Sequence, residues 1–352
     1  MTANVRKVPA PAVVLVTGGG GVLGTELAIR LAQDPAIERV LAVDTTVPDR
    51  DRVRGLGRVE FVRADLRDPA LVKLIAAAGV DTVVHAAVSQ DSPRSEGASS
   101  MKERNVIGTM RLLAACQRTA SIRRVVVKSS SAVYGSSARD PALFTEQMEA
   151  RSVRSGYAKD SIEIEGYVRG FARRRPDVAV TTLRFANVMG PRARTFLTDY
   201  FAMPFVPTVL GYDARIQLLH TDDAVAVLEL AANADASGSF NVGGDGVIML
   251  SQALRRAGRV PVPVPAPPMG PAGRFFRGAR LVDFSPEQVS FLNFGRAIDC
   301  TRLIEELGYR PRWTTMATFD DYAHAHGLRP LPDRKWARVV QSGAVALAGR
   351  LR

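Results

Sequence analysis

The strongest constraint on this chain is a glycine cluster near its start. The apolar run Val13-Val14-Leu15-Val16 passes into Thr17-Gly18-Gly19-Gly20-Gly21-Val22-Leu23-Gly24, and a helical pattern begins at once. A T-G-x-x-G-x-x-G spacing is weak evidence alone. A strand before it and a helix after it give it meaning. Gly18 permits the tight turn, Gly21 lets the backbone approach a pyrophosphate, and Gly24 lets the helix pack close to the strand. The helix N-terminus then turns free N–H groups and a partial positive charge toward phosphates. The plainer alternative is a flexible glycine-rich turn.

Twenty residues after Gly24, the second apolar run ends in Asp44. A carboxylate there hydrogen-bonds a ribose diol and repels a 2′-phosphate, which favours NAD over NADP. A solvated turn aspartate is the bland alternative. Asp65, after the third run, is placed to accept from an adenine amino group or to cap a helix.

The first 130 residues alternate short apolar runs with helical patterns. Strands are expected at Val13–Val16, Val40–Val43, Glu60–Arg63, Thr82–His85 and Arg124–Lys128. Helices are expected at Glu26–Gln33, Leu71–Ala78 and 101–118. Such alternation implies βαβ units with right-handed crossovers and a parallel sheet covered on both faces. Two further strands are expected at Val178–Arg184 and Ser239–Val242. Residues 261–271 hold six prolines, which marks an extended connection rather than a helix or a central strand. The expected fold is α/β: a Rossmann-type doubly wound sheet over 12–185, to which the chain returns at about 217–245. Residues 190–215 and 247–330 are expected to form a smaller substrate-binding cap, with a basic tail at 331–352.

Composition excludes several classes. A chain of 352 residues with 46% hydrophobic and 23% charged residues is neither disordered nor fibrous. Its two cysteines, Cys116 and Cys300, make no disulfide framework or zinc spacing. A reducing cytoplasm fits this, and no targeting or membrane-spanning segment is evident. The net charge of +12 arises from 47 basic residues, 41 of them Arg. They are scattered and accompany no nucleic-acid motif, so nucleic acid is the weakest of the anionic partners.

Further segments make a specific set. They are His85-Ala86-Ala87, Asn105-Val106-Ile107-Gly108-Thr109, and Ser129-Ser130-Ser131-Ala132-Val133-Tyr134-Gly135. Later come Ser155-Gly156-Tyr157-Ala158-Lys159, Leu183-Arg184-Phe185-Ala186-Asn187-Val188-Met189-Gly190-Pro191 and His220-Thr221-Asp222-Asp223-Ala224. With the glycine loop, they occur in the order found in the NAD-dependent epimerase/dehydratase family of extended short-chain dehydrogenase/reductases, which the chain resembles from 12 to about 245. The family includes UDP-galactose 4-epimerase. The resemblance implies NAD bound by Gly18, Gly21, Val22, Leu23, Gly24, Asp44, Asp65, Leu66, Ala86, Ala87 and Asn105. It implies that Ser130 hydrogen-bonds the substrate hydroxyl, and that Tyr157, as tyrosinate, takes that hydroxyl's proton while hydride passes to NAD. It places Ser131, Asn187 and Arg215 toward a nucleotide-sugar substrate. It makes His220 structural rather than a metal ligand.

The chain departs from the family at the charge that sustains the tyrosinate. The family has a lysine four residues after the tyrosine. Here Ser161 stands there, and Lys159, at +2, faces away on a regular helix. Losing a charge neighbour shifts a pKa by about one to three units, which cuts the tyrosinate population roughly 10- to 1,000-fold. The nicotinamide charge or a cation from elsewhere, such as Lys128, would offset part of this. Arg215 sits one residue out of the family's register. The family's second diphosphate-binding arginine has no counterpart, and Arg280 is a poor substitute.

Three readings follow. The first is an NAD-dependent oxidoreductase of the epimerase type acting on a nucleotide sugar. The second is an NAD-binding protein with weakened or lost catalysis, acting as a sensor or assembly partner. The third is a dehydrogenase of lipid-like secondary alcohols. A homodimer is expected through the helices at 101–118 and 157–173. Met101, Val106, Met110, Leu113 and Ala114 on one, and Ile162, Ile164, Val168 and Phe171 on the other, exceed one sheet-facing stripe. Residues 334–352 form a basic amphipathic pattern with Trp336. That pattern suits an anionic membrane surface, but docking on the body or on a second subunit is its commoner use.

Overall fold

The computed structural model describes residues 10–48, 55–88, 101–149, 156–264 and 284–330. Seven parallel strands form one sheet: β1 (Val13–Thr17), β2 (Arg39–Asp44), β3 (Val59–Arg63), β4 (Thr82–His85), β5 (Arg124–Ser130), β6 (Ala179–Phe185) and β11 (Gly238–Val242). Their spatial order is β11-β6-β5-β4-β1-β2-β3. The order reverses between β1 and β4, and a ligand crevice opens at such a switch point, beyond the carboxyl ends of the strands.

Both faces of the sheet are dry. Val14 and Val16 point into one layer, packed under α1 (Val22–Gln33) and α6 (Thr221–Asn233) through Leu27, Leu31, Val225 and Leu228. Val13 and Leu15 point into the other, under α2 (Ala70–Ala77), α3 (Gly108–Arg118) and α4 (Gly156–Arg174). The period of two along an all-apolar strand is what a sheet covered twice requires. A wide π turn, Glu103–Ile107, precedes α3.

A third core is built from Met189, Tyr200, Phe201, Ile216, Ile248, Leu254, Phe291, Phe319 and Tyr322. It gathers α5 (Phe196–Ala202), α7 (Leu250–Arg256), α8 (Pro286–Phe294) and α10 (Thr315–Ala325) around short strands. Within the proline segment, Val260–Val264 forms strand β13, paired in parallel with β8 (Phe205–Val209) in a two-stranded ribbon. An edge position tolerates the missing N–H groups of Pro261 and Pro263. The tail at 331–352 and Arg280 lie outside the described residues.

The burial argument for a dimer is corrected by the structure. Val106, Leu113, Ile164, Val168 and Phe171 are all buried in the chain's own second core. The helices at 101–118 and 156–174 pack on each other as well as on the sheet, so a second apolar stripe is used internally. Of the positions named, only Met110 and Ala114 are exposed. Among the described residues, no helix is long and apolar enough to cross a membrane.

Candidate active site

A cavity of about 590 Å³ opens at the switch point. Gly18, Gly21, Val22, Leu23, Gly24, Asp44, Ala86, Ala87, Ser130, Tyr157 and Asn187 line it together. An adjoining recess of about 240 Å³ is lined by Asp65, Leu66 and Asn105, and shares Gly18, Asp44 and Ala87 with it. Residues far apart in sequence thus converge where β1, β2, β4 and β5 end.

The glycine loop is shaped by close approach. Gly18 has φ +78°, and a Cβ there would lie 2.9 Å from the Ala87 backbone. A Cβ at Gly24 would lie 2.1 Å from the Gly18 carbonyl oxygen, and one at Gly20 would lie 2.1 Å from that of Thr46. Gly18 therefore seats the first turn against the segment after β4, and Gly24 seats the helix against the loop. Thr25 fastens the turn by donating to the Gly19 carbonyl at 2.6 Å.

Asp44 accepts the Gly20 N–H at 3.0 Å through Oδ2 and the Thr46 N–H at 3.0 Å through Oδ1. Its carboxylate is thereby held at the rim shared by both cavities. Asp65 is gripped by its neighbour: the Arg67 N–H donates at 2.8 Å, and the guanidinium at 3.0 and 2.7 Å. Those hydrogen bonds hold the Asp65 carboxyl below the usual range. It caps no helix; Asp68 instead takes the Ala70 N–H at the start of α2.

His85 is buried between the hydroxyls of Thr17, at 2.7 Å, and Thr109, at 2.8 Å. Burial, and then the nearby charge of Lys128, push its pKa down to about 3. A neutral imidazole thus ties β1, β4 and α3 together beneath the cavity. Asn105 is buried beside it on the π turn, a distortion often used to aim a side chain at a ligand.

Ser130 ends β5, and its Oγ accepts the Ala132 N–H at 3.1 Å, which leaves its own proton to donate into the cavity. Tyr157 stands in the first turn of α4. Gly156, with φ +72°, starts that helix where a Cβ would strike Glu287 Oε2 at 2.5 Å. Glu287 accepts the Ala158 N–H at 3.3 Å, and burial raises its pKa. A carboxylate from α8 thus caps the helix that presents the tyrosine. Ser161 is buried and donates to the Tyr157 carbonyl at 2.8 Å. Lys159 is exposed on another side of the helix.

Behind the site lies a buried network. Arg184 donates to Glu165 Oε1 at 2.9 Å and Oε2 at 2.7 Å, and to the Tyr134 hydroxyl at 2.8 Å. Ser129 donates to Glu165 at 2.7 Å, and Tyr134 to Asn241 at 2.8 Å. This links β5, β6, β11 and α4 next to Ser130.

Two of the expected substrate contacts lie off both cavities. Ser131 is buried, and its Oγ accepts from Arg296 at 3.2 Å. Arg215, in strand β9 (Arg215–Ile216), donates to the Pro141 carbonyl at 3.5 Å. Its side chain is held by the 141 loop, away from the cavity lining. His220 caps α6 by accepting the Asp222 N–H at 3.1 Å, and stacks on Trp313 at 4.1 Å.

The structure also brings forward residues that sequence reasoning passed over. Arg192 and Arg194 line the large cavity, and Arg192 pairs with Glu26. Arg296 is buried, and donates to the Gly135 carbonyl at 2.7 Å and to Ser136 at 3.1 Å. Burial pushes its pKa down to about 10. Only the G-P-R-x-R pattern at 190–194 carried a signal; Arg296 joins the site through contacts across 160 or more residues.

The family model for the NAD dependent epimerase/dehydratase family matches residues 14–243. The chain belongs to this family. It is 52% identical over 341 residues to an uncharacterized protein of Mycobacterium tuberculosis (strain ATCC 25618 / H37Rv), covering 97% of this chain and 91% of that one. It is 28% identical over 314 residues to the UDP-glucose 4-epimerase of Mycolicibacterium smegmatis, covering 85% and 93%. Its fold is similar to that of the dTDP-glucose 4,6-dehydratase DesIV of Streptomyces venezuelae, solved with NAD and TYD bound. The TM-score is 0.69 at 24% identity, over 92% and 98% of the two chains.

NAD, the cofactor of the family, fits the residues present. The loop leaves no room for a Cβ at Gly18, Gly20 or Gly24, and Asp44 is already fixed at the shared rim. Asp44→Ala is expected to weaken NAD binding and to narrow a preference over NADP, because a carboxylate at this place would accept from a ribose hydroxyl and repel a 2′-phosphate, and because Asp44 anchors the Gly20 N–H. Calorimetric titration of both dinucleotides into the protein checks this. Tighter binding of NADP by the unaltered protein would overturn it.

Proposed function

We propose that this protein is an NAD-dependent epimerase acting on a nucleotide sugar. One observation carries the reading: Ser130 and Tyr157 line the same cavity as the glycine loop and Asp44. A secondary hydroxyl in that cavity meets a hydrogen-bond donor and a phenol. Ser130 orients the hydroxyl, and Tyr157 takes its proton and later returns it. Bound NAD supplies a reversible acceptor for the hydride. Arg194, at the cavity rim, and Asn187 suit the phosphates of the substrate, in place of Arg215. The third core, with its short strands, is the substrate-binding cap of this reading.

The lining favours epimerisation over dehydration. Eliminating water needs an acid/base pair beside the sugar. Asp44 is the one carboxylate among the described residues lining the large cavity, and it lies at the glycine-loop end. The test incubates the protein and NAD with UDP-galactose, UDP-glucose and dTDP-glucose and separates the products. Interconversion of 4-epimers supports the reading. Formation of a 4-keto-6-deoxy sugar, or no change in any sugar, overturns it.

The functional unit of this reading is a dimer. Met110 and Ala114 of α3 are exposed, and Gly166 and Gly170 of α4 are half-buried beside the guanidinium groups of Arg169 and Arg174, the face on which a second copy would sit. Light scattering should give twice 38.0 kDa for the native chain. Met110→Arg should lower that mass without unfolding the chain. Phe171, which is buried in the core, is the wrong position for this test.

A further inference from the structure

We propose that Lys128 supplies from strand β5 the positive charge that α4 lacks at Ser161, acting on the Tyr157 phenol and on the ribose of bound NAD. The proposal rests on the assignment of Ser130 and Tyr157 above.

The helix cannot provide this charge. Ser161 is occupied with the Tyr157 carbonyl, and Lys159 is exposed. Lys128 precedes Ser130 by two residues, so both side chains leave the same side of an extended strand. Burial shows the alternation: Lys128 and Ser130 are half-buried and Ser129 between them is buried, bonded to Glu165. Lys128 lines the large cavity with Ser130, Tyr157, Ala87 and the glycine loop. Its Nζ donates to the Val88 carbonyl, just beyond β4, which fixes the ammonium at the cavity wall. A charge at this place enters the site from the sheet, whereas the family's lysine enters from the helix. An ammonium stabilises a phenolate and donates to a ribose hydroxyl from whichever wall carries it, at separations up to about 4–6 Å from the phenolate.

Other charged groups surround the start of α4. Asp160 is buried three residues after Tyr157, beside Lys102, Glu163 and Lys159, and Glu287 caps the helix N-terminus. Neutral His85 lies below, and the Glu165–Arg184 pair lies two turns along the helix. Arg296 is the rival cation, since it interacts electrostatically with Tyr157. Its guanidinium, however, is committed to Gly135, Ser131 and Ser136, and it lines neither cavity.

The experiment follows the ionisation of Tyr157 by ultraviolet difference absorbance, with Tyr157→Phe as the blank, and NAD binding by calorimetry. Lys128→Met should raise the phenol midpoint by about one to three pH units. It should also weaken NAD roughly 10-fold or more through the lost charged hydrogen bond. Adding Ser161→Lys to that variant should bring the midpoint back down. Lys128→Gln, which keeps a donor for the Val88 carbonyl but no charge, repeats the test without the change in polarity. A midpoint that stays put in both Lys128 variants overturns the proposal. So does a midpoint that moves in Arg296→Gln and not in Lys128→Met. Neither readout needs a sugar substrate. A shifted midpoint in a protein that converts no sugar would uphold Lys128 and remove only the proposed activity.

Discussion

Tyr157→Phe should lower the rate of sugar conversion by about 10²- to 10⁴-fold, the usual worth of a positioned proton acceptor. NAD binding should be little changed, because the ring remains as cavity wall and only the hydroxyl is lost. Ser130→Ala should cost less, roughly 10- to 100-fold, since it removes one hydrogen bond to a developing charge. The two act on one proton, so the double variant should fall far short of the product of the single effects. Tyr157 is buried and stands on the cavity wall, and the helix start that presents it is capped from α8 by Glu287. A Tyr157→Phe enzyme within tenfold of the native rate would remove the tyrosine from the chemistry. It would also favour a protein that binds NAD for another purpose.

The largest loss of stability is expected from Arg184→Met. The Glu165 carboxylate is 4% exposed and receives two hydrogen bonds from Arg184 and one from Ser129. Burial pulls the Arg184 pKa down, and the hydrogen bonds and charge of Glu165 more than reverse this. Removing Arg184 leaves the buried Glu165 carboxylate to Ser129 and to the exposed Arg169, 3.7 Å away, without its two short charged hydrogen bonds, at a cost of about 3–5 kcal/mol. For a domain of this size, that is a fall in Tm of roughly 10 °C. Arg184→Met combined with Glu165→Leu should regain much of it, because no charge is left uncompensated. Thermal melts of the three proteins check the ordering. A single variant within ~1 kcal/mol of the native protein would mean that Arg169 or water compensates Glu165 in place of Arg184. Activity should fall too, because Ser129 holds the end of the strand that carries Ser130.

The inner strands Val13–Thr17 and Thr82–His85 were legible because they are largely apolar on both faces and bounded by turn residues. Thr82–His85 appears with the bounds expected, and Arg124–Lys128 runs two residues further, to Ser130. That extension matters, since it carries the strand up to the serine that faces the cavity. Helix starts were less legible. The first helix begins at Val22, inside the glycine pattern, and not at Glu26. A glycine there has weak helical preference of its own, and tight packing of Gly24 on the Gly18 carbonyl decides the matter. The helix at 101–118 contains a π turn that no periodicity announces.

Sequence alone determined the sheet, the glycine loop and the place of Asp44. Each rests on short-range spacing, which a chain carries without folding, whereas the roles expected of Ser130 and Tyr157 came from the family resemblance. Only the tertiary structure decided which charges attend the site. It placed Arg215 against the 141 loop, Arg194 at the cavity rim, Arg296 under the serine loop and Glu287 on the tyrosine's helix. It also showed that the apolar excess of two helices is used within one chain. The reason is physical: a charge acts through space, over distances that contacts between remote segments set. Lys128 and Tyr157 are 29 residues apart in the chain and line one cavity only because β5 ends where α4 begins.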